Sequence, residues 1–437
     1  MLTTLKNAFK IKEIRKKLLF TFLMLIVVRL GCQLPVPGVD RHFFSEWFAA
    51  QTGDAFSFFN AFTGGSFENM SLSALNITPY ITSSIIMQLL TIAIPKLEEM
   101  QKDGEEGRKK IVSITRYVTV ALALVESAAM AIGFGRQGLM EEFNVLNVIT
   151  VIAALTAGSA FLMWIGERIT ENGVGNGISI VLTINIISRM PSDLAGLYNQ
   201  FVKGKAVAVG ALAALIILAI IVAMVILVII LNDATRKIPV QYAKKIQGRK
   251  MVGGQSTFIP LKVNTAGVIP IIFAQSIMQF PVVICQLAGY NGTGVWAHIL
   301  RGLNSSYWCR PSEPVYSIGL VVYIAMVIFF AYFYTSITFN PLEVANNMKK
   351  QGGFIPGIRP GKPTSDYLSR ILNYLIFIGA CGLTIVCVLP FFFSGVFGAS
   401  VSFGGTSLII IVSVVLETIK QIESQMLVRN YKGFLND

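Results

Sequence analysis

The most informative part of this sequence is one short polar stretch between two apolar segments, Trp164-Ile165-Gly166-Glu167-Arg168-Ile169-Thr170-Glu171-Asn172-Gly173-Val174-Gly175-Asn176-Gly177-Ile178-Ser179. The last three glycines of this stretch stand at alternate positions. Glycine reaches backbone conformations that other residues adopt only with strain, and it is therefore common in turns. The stretch predicts a tight, specified turn between two helices.

The composition around this turn is that of a membrane protein. Of the 437 residues, 54% are hydrophobic and only 14% are charged, whereas a soluble domain of this size needs a far more polar surface. An α-helix needs about 20 apolar residues to cross the hydrocarbon core. Ten windows predict an all-α polytopic membrane protein with ten transmembrane helices: 18–34, 71–94, 111–134, 146–166, 175–190, 207–231, 264–287, 315–338, 370–393 and 405–425.

The chain divides near residue 200 into two sets of five spans. Because five is odd, the second half is inverted relative to the first, and we predict two inverted five-helix halves. The short fifth span and the internal prolines Pro79 and Pro270 point to a functional axis between these halves. The predicted boundaries are 1–17 for a cytoplasmic amphipathic segment, 18–200 for the first half, 201–425 for the second half and 426–437 for a C-terminal tail.

Charge orients the spans. Ten spans put both ends of the chain on one side, and most of the 36 lysines and arginines lie on that side. The positive-inside rule therefore predicts that both termini are cytoplasmic. Two loops on this side are long: residues 232–263 predict a projecting hairpin, and the Gly/Pro-rich residues 340–370 predict an exposed, structured loop without a long helix. A soluble partner would dock on such loops.

The sequence offers little that resembles enzyme chemistry. It contains two histidines, His42 and His298, and no zinc-protease, nucleophile-elbow or Walker A motif. A coupled carrier normally shows several buried carboxylates, and here Glu126 is the deepest of a few charges in the spans. Two functions stay open: a protein-conducting channel, and an inverted-repeat secondary transporter of a small solute.

Four stretches carry a resemblance to a known family. Residues 164–182, 73–90, 262–270 and 340–361 resemble motifs of the SecY family, the central subunit of the bacterial Sec protein-conducting channel (preprotein translocase). The likeness extends over essentially the whole chain. The chain departs from the family pattern at one position, where Asn76 stands in place of glycine. This departure leaves open how the second span packs locally.

The resemblance implies a function and a set of partners. The family passes unfolded secretory polypeptides through a central pore across the cytoplasmic (inner) membrane of bacteria and releases apolar segments sideways into lipid. It uses no cofactor and is not an enzyme, since its energy comes from a SecA-like ATPase motor or from the ribosome. The other implied partners are SecE-like and SecG-like membrane subunits, polypeptides that carry signal sequences, and membrane lipids.

The resemblance also assigns a pore ring and a plug. A dry aliphatic constriction excludes ions and still adapts around a peptide. The implied ring consists of Ile77, Ile81, Leu182, Ile186, Ile269, Ile272 and either Ile409 or Ile410. Before the second span, the glycine-interrupted apolar run 56–70 predicts a re-entrant piece. By resemblance it is the plug, with Phe59, Phe62, Gly64, Gly65 and Phe67.

A lateral gate is implied between spans two and three on one side and spans seven and eight on the other. Its polar candidates are Ser83, Ser84, Gln88, Glu126, Gln275 and Gln279. These side chains either pair between helices or bond back to their own helix, and both interpretations stay open. Docking of the motor or ribosome is implied for Lys244, Lys245, Arg249, Lys250 and Arg359.

Overall fold

The computed structural model describes residues 9–41, 44–46, 63–140, 142–203, 207–242, 245–247, 250–252, 256–287, 294–397 and 405–433. Helices dominate: α1 (Lys12–Gly31), α2 (Thr78–Ala93), α3 (Pro95–Lys102), α4 (Gly104–Arg136), α5 (Val145–Asn172), α6 (Gly177–Phe201), α7 (Val207–Asp233), α8 (Ile269–Leu287), α9 (Val295–Leu303), α10 (Ile318–Thr338), α11 (Pro341–Lys350), α12 (Lys362–Phe397) and α13 (Gly405–Gly433). Five short strands accompany them: β1 (Thr235–Tyr242), β2 (Lys245–Gln247), β3 (Lys250–Val252), β4 (Ser256–Lys262) and β5 (Gly353–Phe354).

Long apolar helices form the body of the molecule. Among the described residues, six helical segments are long and apolar enough to cross a membrane, and α2 with α3 adds a seventh if their 106° bend is counted as one broken span. Each of the ten predicted spans overlaps a helix. α1, α8 and α13, which are not among the six segments, lie at predicted spans one, seven and ten. The architecture confirms an all-α polytopic membrane protein.

The ends of several elements differ from the prediction. α1 starts at Lys12, so residues 12–17 of the predicted amphipathic segment are helical and continuous with the helix of span one. α6 is not short, since it runs for 25 residues and continues through Pro191. Pro79 and Pro270 are not internal, because each lies in the first turn of its helix. There the missing N–H removes no helical hydrogen bond.

The two halves share a local motif at the start of α2 and α8. Asn76 has a φ of 51° and precedes Pro79 by three residues, and Gly267 has a φ of 64° and precedes Pro270 in the same way. This left-handed conformation is easy for glycine, and asparagine is among the few other residues that adopt it readily. Asn76 therefore starts α2 with the same left-handed conformation that Gly267 provides before α8.

The glycine turn joins α5 to α6 as the sequence predicts. Gly175 has a φ of 81°. A Cβ atom on Gly177 would lie 1.9 Å from the carbonyl oxygen of Gly166, so only glycine allows this approach of the two helices. The turn packs between the two ends of the chain, in a buried cluster of Ile14, Val174 and Ile422.

The two long basic loops form one folded unit. β1 pairs antiparallel with β4, and this pair is the predicted hairpin. β1 also pairs with β5 of the other loop, with Gln241 opposite Phe354 and Tyr242 opposite Gly353. The sheet covers a shared core of Ile238, Val240, Leu261, Met348, Ile355, Leu368 and Leu375.

The second of these loops contains more helix than the sequence predicts. α11 covers Pro341–Lys350, and α12 starts at Lys362, ahead of the predicted span at 370–393. The glycines and prolines are concentrated between these two helices, at residues 352–361, with single prolines in their first turns. Only this short connection is therefore irregular.

Candidate pore constriction and gate

An apolar cluster joins the two halves. Leu182 and Ile186 of α6 and Ile410 of α13 are buried, with 5%, 2% and 2% of their surfaces exposed, and they form one cluster. Ile81 of α2 and Val268, two residues before Pro270, pack against this cluster. Four predicted ring residues thus lie together, contributed by two helices of the first half and one of the second.

Val268 is a member of the cluster that the sequence analysis missed. It stands two residues before a first-turn proline, as Ile77 does before Pro79. A comparison of the two halves of the sequence around Pro79 and Pro270 could have identified Val268. The resemblance instead placed Ile269 and Ile272 in the ring, and both are half-buried and lie outside the cluster.

Two other ring candidates pack elsewhere. Ile77 is fully buried against Val28 of α1 and Leu162 of α5. Ile409 packs in the core of the second half, while its neighbour Ile410 meets Leu182 and Ile186. Successive residues on a helix point about 100° apart, so Ile409 and Ile410 contribute to different clusters.

Two buried asparagines lie directly beside ring candidates in the chain. Asn76 precedes Ile77, and Asn185 precedes Ile186. The Asn185 Nδ2 donates to the Asn76 Oδ1 at 3.0 Å, and both residues have 0% of their surface exposed. The Asn185 Oδ1 accepts from the Arg29 Nη1 at 3.3 Å. This polar group, which connects α1, α6 and the entrance of α2, was not predicted from the sequence.

The C-terminal part of the predicted plug lies within the described residues and packs on α6. A Cβ on Gly64 would lie 2.4 Å from the Asn185 carbonyl oxygen, so the backbones touch there. The Ser188 hydroxyl donates to the Gly64 carbonyl at 3.5 Å. Arg189 forms an ion pair with Glu68 at 3.0 Å.

The other predicted plug residues have different surroundings. Gly65 has a φ of 85° and follows Gly64 in the same turn. Phe67 has 1% of its surface exposed and packs edge-on against the rings of Phe44 and Phe134. Phe59 and Phe62 lie outside the described residues.

One gate candidate forms a bond between the two halves. The Tyr334 hydroxyl of α10 donates to the Gln88 Oε1 of α2 at 3.4 Å. α10 belongs to the second half and α2 to the first, so this contact lies at the predicted seam. Tyr334 was not predicted.

Two other gate candidates form bonds within their own half. Ser83 lies 2.6 Å from the Thr119 hydroxyl of α4, inside the first half. Gln279 donates to Ser305 at 3.5 Å, inside the second half. The residues left are the buried Gln275 and the half-buried Ser84 and Glu126.

Three of the predicted docking residues, Arg359, Lys245 and Lys250, lie in the described part of the two basic loops. Arg359 is exposed, in the irregular connection before α12, and its carbonyl accepts from the Thr364 hydroxyl at 2.8 Å. Lys245 begins β2 and Lys250 begins β3, and these strands pair with each other. Lys244 and Arg249 lie outside the described residues.

A model of the SecY family matches residues 71–419. The chain belongs to the SecY family. The protein translocase subunit SecY of Streptomyces galbus is 44% identical over 458 residues, and the match covers 100% of both chains. The protein of the same name from Halalkalibacterium halodurans is 44% identical over 442 residues, again with 100% of both chains covered.

Solved structures share the fold of this SecY-family chain. One protein-conducting channel has a TM-score of 0.61 at 18% identity and covers 94% of this chain and 93% of its own. Sec61 in a canine ribosome–channel complex has a TM-score of 0.58 at 17% identity, with 94% and 93% covered. At these identities the similarity concerns the fold alone.

Proposed function

We propose that this chain is the channel-forming subunit of a protein translocase, which passes unfolded polypeptides across a membrane. Membership of the SecY family over the whole chain supports the activity. The observation that carries the mechanism is the apolar cluster of Ile81, Leu182, Ile186, Val268 and Ile410. Such a constriction is too dry for ions when closed, and its flexible aliphatic side chains adapt around a peptide.

The two halves, 18–200 and 201–425, form the two sides of a lateral gate. The Tyr334–Gln88 bond is a weak polar link between them. Interhelical polar pairs in membranes contribute about 0.6–2 kcal/mol each, which holds a seam and still allows a signal sequence to open it. Apolar segments of the substrate leave through this seam into lipid.

The folded unit of the two basic loops is the docking face. Strand pairing in its sheet holds the two loops together. The guanidinium of Arg359 is always charged and offers two parallel hydrogen-bond donors to a carboxylate or phosphate. A SecA-like ATPase or a ribosome binds there and supplies the energy, so the chain itself is not an enzyme. SecE-like and SecG-like subunits complete the complex. From the positive-inside rule we infer that this face and both termini lie on the cytoplasmic side of the bacterial inner membrane.

A secondary transporter is the competing function. It predicts saturable uptake of a small solute and a polar binding site at the membrane midplane. The relatives that match over the full chain are translocase subunits, and the cluster that joins the halves is aliphatic. Both observations favour the channel.

Site-specific photo-crosslinking tests the channel. A photoreactive residue is placed at Ile81, and a signal-bearing polypeptide is stalled during export in membranes that carry this chain. We expect crosslinks from position 81 to the stalled polypeptide. A second probe at Arg359 is expected to link to the ATPase or ribosome.

The matched control is a probe at Leu218 of α7, which has 63% of its surface exposed and lies outside the cluster. It is expected to give no crosslink to the stalled polypeptide. If position 81 never meets the polypeptide while export proceeds, the constriction is wrongly placed. If solute uptake is saturable and export is absent, the transporter replaces the channel.

A further inference from the structure

A groove lies at the N-terminal end of α10, the end that the inferred topology places opposite the basic loops. Its volume is 660 Å³, and sites for small organic ligands have volumes of roughly 300–1,000 Å³. The lining is mainly apolar, with Val295 and Ile299 from α9 and Ile318 and Val322 from α10. None of these residues belongs to the proposed constriction, gate or docking face.

The two walls of the groove are held together by a close backbone contact. A Cβ atom on Gly319 of α10 would overlap the carbonyl oxygen of Gly302 in α9. The same carbonyl accepts from the Trp308 Nε1 at 2.8 Å, and Trp308 is buried in the core of the second half. The groove is therefore formed before a ligand binds, so that filling it costs little conformational entropy.

The apolar part of the groove continues the lipid-facing surface of α10, which is one of the helices long and apolar enough to span a membrane. Ile318 has 64% of its surface exposed and Val322, one turn further along, has 43%. Trp296 of α9 and Tyr307 and Tyr316 of the connection lie at the outer end of this region. Tryptophan and tyrosine are enriched where a membrane meets water, so the groove extends from the hydrocarbon region to the level of the headgroups.

The outer end of the groove carries charges of both signs. The half-buried Glu313 lines it. The Tyr316 hydroxyl lies 2.8 Å from the His298 Nδ1, and a hydrogen bond to this hydroxyl raises the pKa of the Arg301 guanidinium. A guanidinium has five N–H donors, so the bond to Tyr316 leaves others for a ligand, and Arg301 is exposed. Guanidinium binds phosphate with paired hydrogen bonds, and a carboxylate binds an ammonium group.

We propose that this groove is a binding site for a phospholipid of the outer leaflet whose headgroup carries a phosphate and a primary amine, as in phosphatidylethanolamine. An acyl chain fills the apolar part between α9 and α10, Arg301 binds the phosphate, and Glu313 binds the ammonium. A headgroup with both charges matches the two side chains, whereas an anionic headgroup offers no cation to Glu313. The site requires only that α10 spans a membrane, so it stands or falls separately from the channel function.

Photolabelling with a lipid tests the proposal. The full chain is purified and reconstituted into phosphatidylcholine vesicles that contain a small fraction of phosphatidylethanolamine with a photoreactive acyl chain. After irradiation, labelled peptides are quantified by mass spectrometry. We expect the label to be concentrated in residues 295–322, and unlabelled phosphatidylethanolamine to compete for it better than phosphatidylglycerol does. Even labelling over all lipid-facing helices would overturn the proposal.

Two adjacent valines of α10 provide a matched pair of variants for the apolar part. Val322→Trp fills the groove and is expected to remove most of the label from α9. Val321 has 65% of its surface exposed but does not line the groove, so Val321→Trp is expected to label like the wild type. Equal labelling of the two variants would show that the groove holds no acyl chain.

Three further variants test the headgroup contacts. Because Arg301 is exposed, we expect Arg301→Gln to lower the apparent affinity for phosphatidylethanolamine roughly 2- to 10-fold, and Arg301→Lys, which keeps the charge, to restore most of it. Glu313→Gln is expected to keep the label and to lose the preference for phosphatidylethanolamine over phosphatidylglycerol. The control is Arg136→Gln, at an exposed position in the last turn of α4. The headgroup assignment is wrong if Arg301→Gln has no more effect than Arg136→Gln, or if phosphatidylglycerol competes equally well in the wild type.

Discussion

At the scale of single residues, Asn76 combines two properties in one position. Its φ of 51° starts α2 with the geometry that Gly267 gives to α8. Its amide, which glycine lacks, accepts a hydrogen bond from Asn185. One side chain thus combines a left-handed backbone conformation with a buried hydrogen bond between elements.

Ile186 tests the apolar constriction at this scale. Replacing Ile186 by Asn puts a polar group into the cluster and removes about 1.5–3 kcal/mol of apolar burial from the closed state. We expect the channel to become permissive toward defective signal sequences and to leak ions, as measured by reporter export and by membrane conductance. Ile186→Val keeps the site apolar and is expected to behave like the wild type. Unchanged conductance in Ile186→Asn would place the constriction elsewhere.

A substitution at Gly177 tests the tight turn between α5 and α6. In Gly177→Ala the new methyl group overlaps the Gly166 carbonyl oxygen, and we expect a loss of about 1–3 kcal/mol of stability from overpacking. Gly196→Ala on the same helix is the control, because nothing lies within 4 Å of its added Cβ. Thermal melting in detergent measures both. Equal melting temperatures for the two variants would show that the close approach at Gly177 is unimportant.

At the scale of elements, the two basic loops depend on each other. β5 belongs to one loop and β1 to the other, and their shared core lies beneath both. Alternation of apolar and charged residues predicts the β1–β4 hairpin, because that pairing is local in sequence. The contact with β5 joins residues more than a hundred positions apart, and no local pattern encodes it.

Ile355 tests this dependence. It has 3% of its surface exposed, and Ile355→Ala leaves a cavity that costs about 2–5 kcal/mol. We expect faster tryptic cleavage in residues 232–263, although the substitution lies in the other loop. Ile358→Ala, at a half-buried position of the same core, is expected to have a smaller effect. If cleavage in 232–263 does not change in Ile355→Ala, the loops fold independently.

At the scale of the whole molecule, two of the contacts between the halves bear on the proposed channel. The aliphatic cluster joins α2 and α6 to the Val268 segment and α13, and the Tyr334–Gln88 bond joins α2 to α10. In the proposed channel, the first contact is the constriction of the pore and the second lies at the lateral gate.

Fixing the seam between the halves should block function. In a chain whose own cysteines are replaced, cysteines at positions 88 and 334 are joined by a short bis-maleimide. We expect integration of apolar segments and export to fall to a small fraction of the uncrosslinked rate. The control pair, at positions 127 and 156, links α4 to α5 inside one half and is expected to crosslink without loss. Normal integration through a crosslinked 88–334 pair would exclude a gate at this seam.

The sequence by itself determined the class of the protein, its helices and their approximate ends, because apolar length, charge placement and turn residues act locally along the chain. Through the resemblance it also predicted Ile81, Leu182, Ile186 and either Ile409 or Ile410 as members of one ring, and Ile81, Leu182, Ile186 and Ile410 lie in one cluster. Only the tertiary structure decided that Ile77 packs toward α1 and α5, that Val268 joins the cluster, and that Asn76 meets Asn185. These facts depend on which face of one helix lies against another, and packing between distant parts of the chain selects that face.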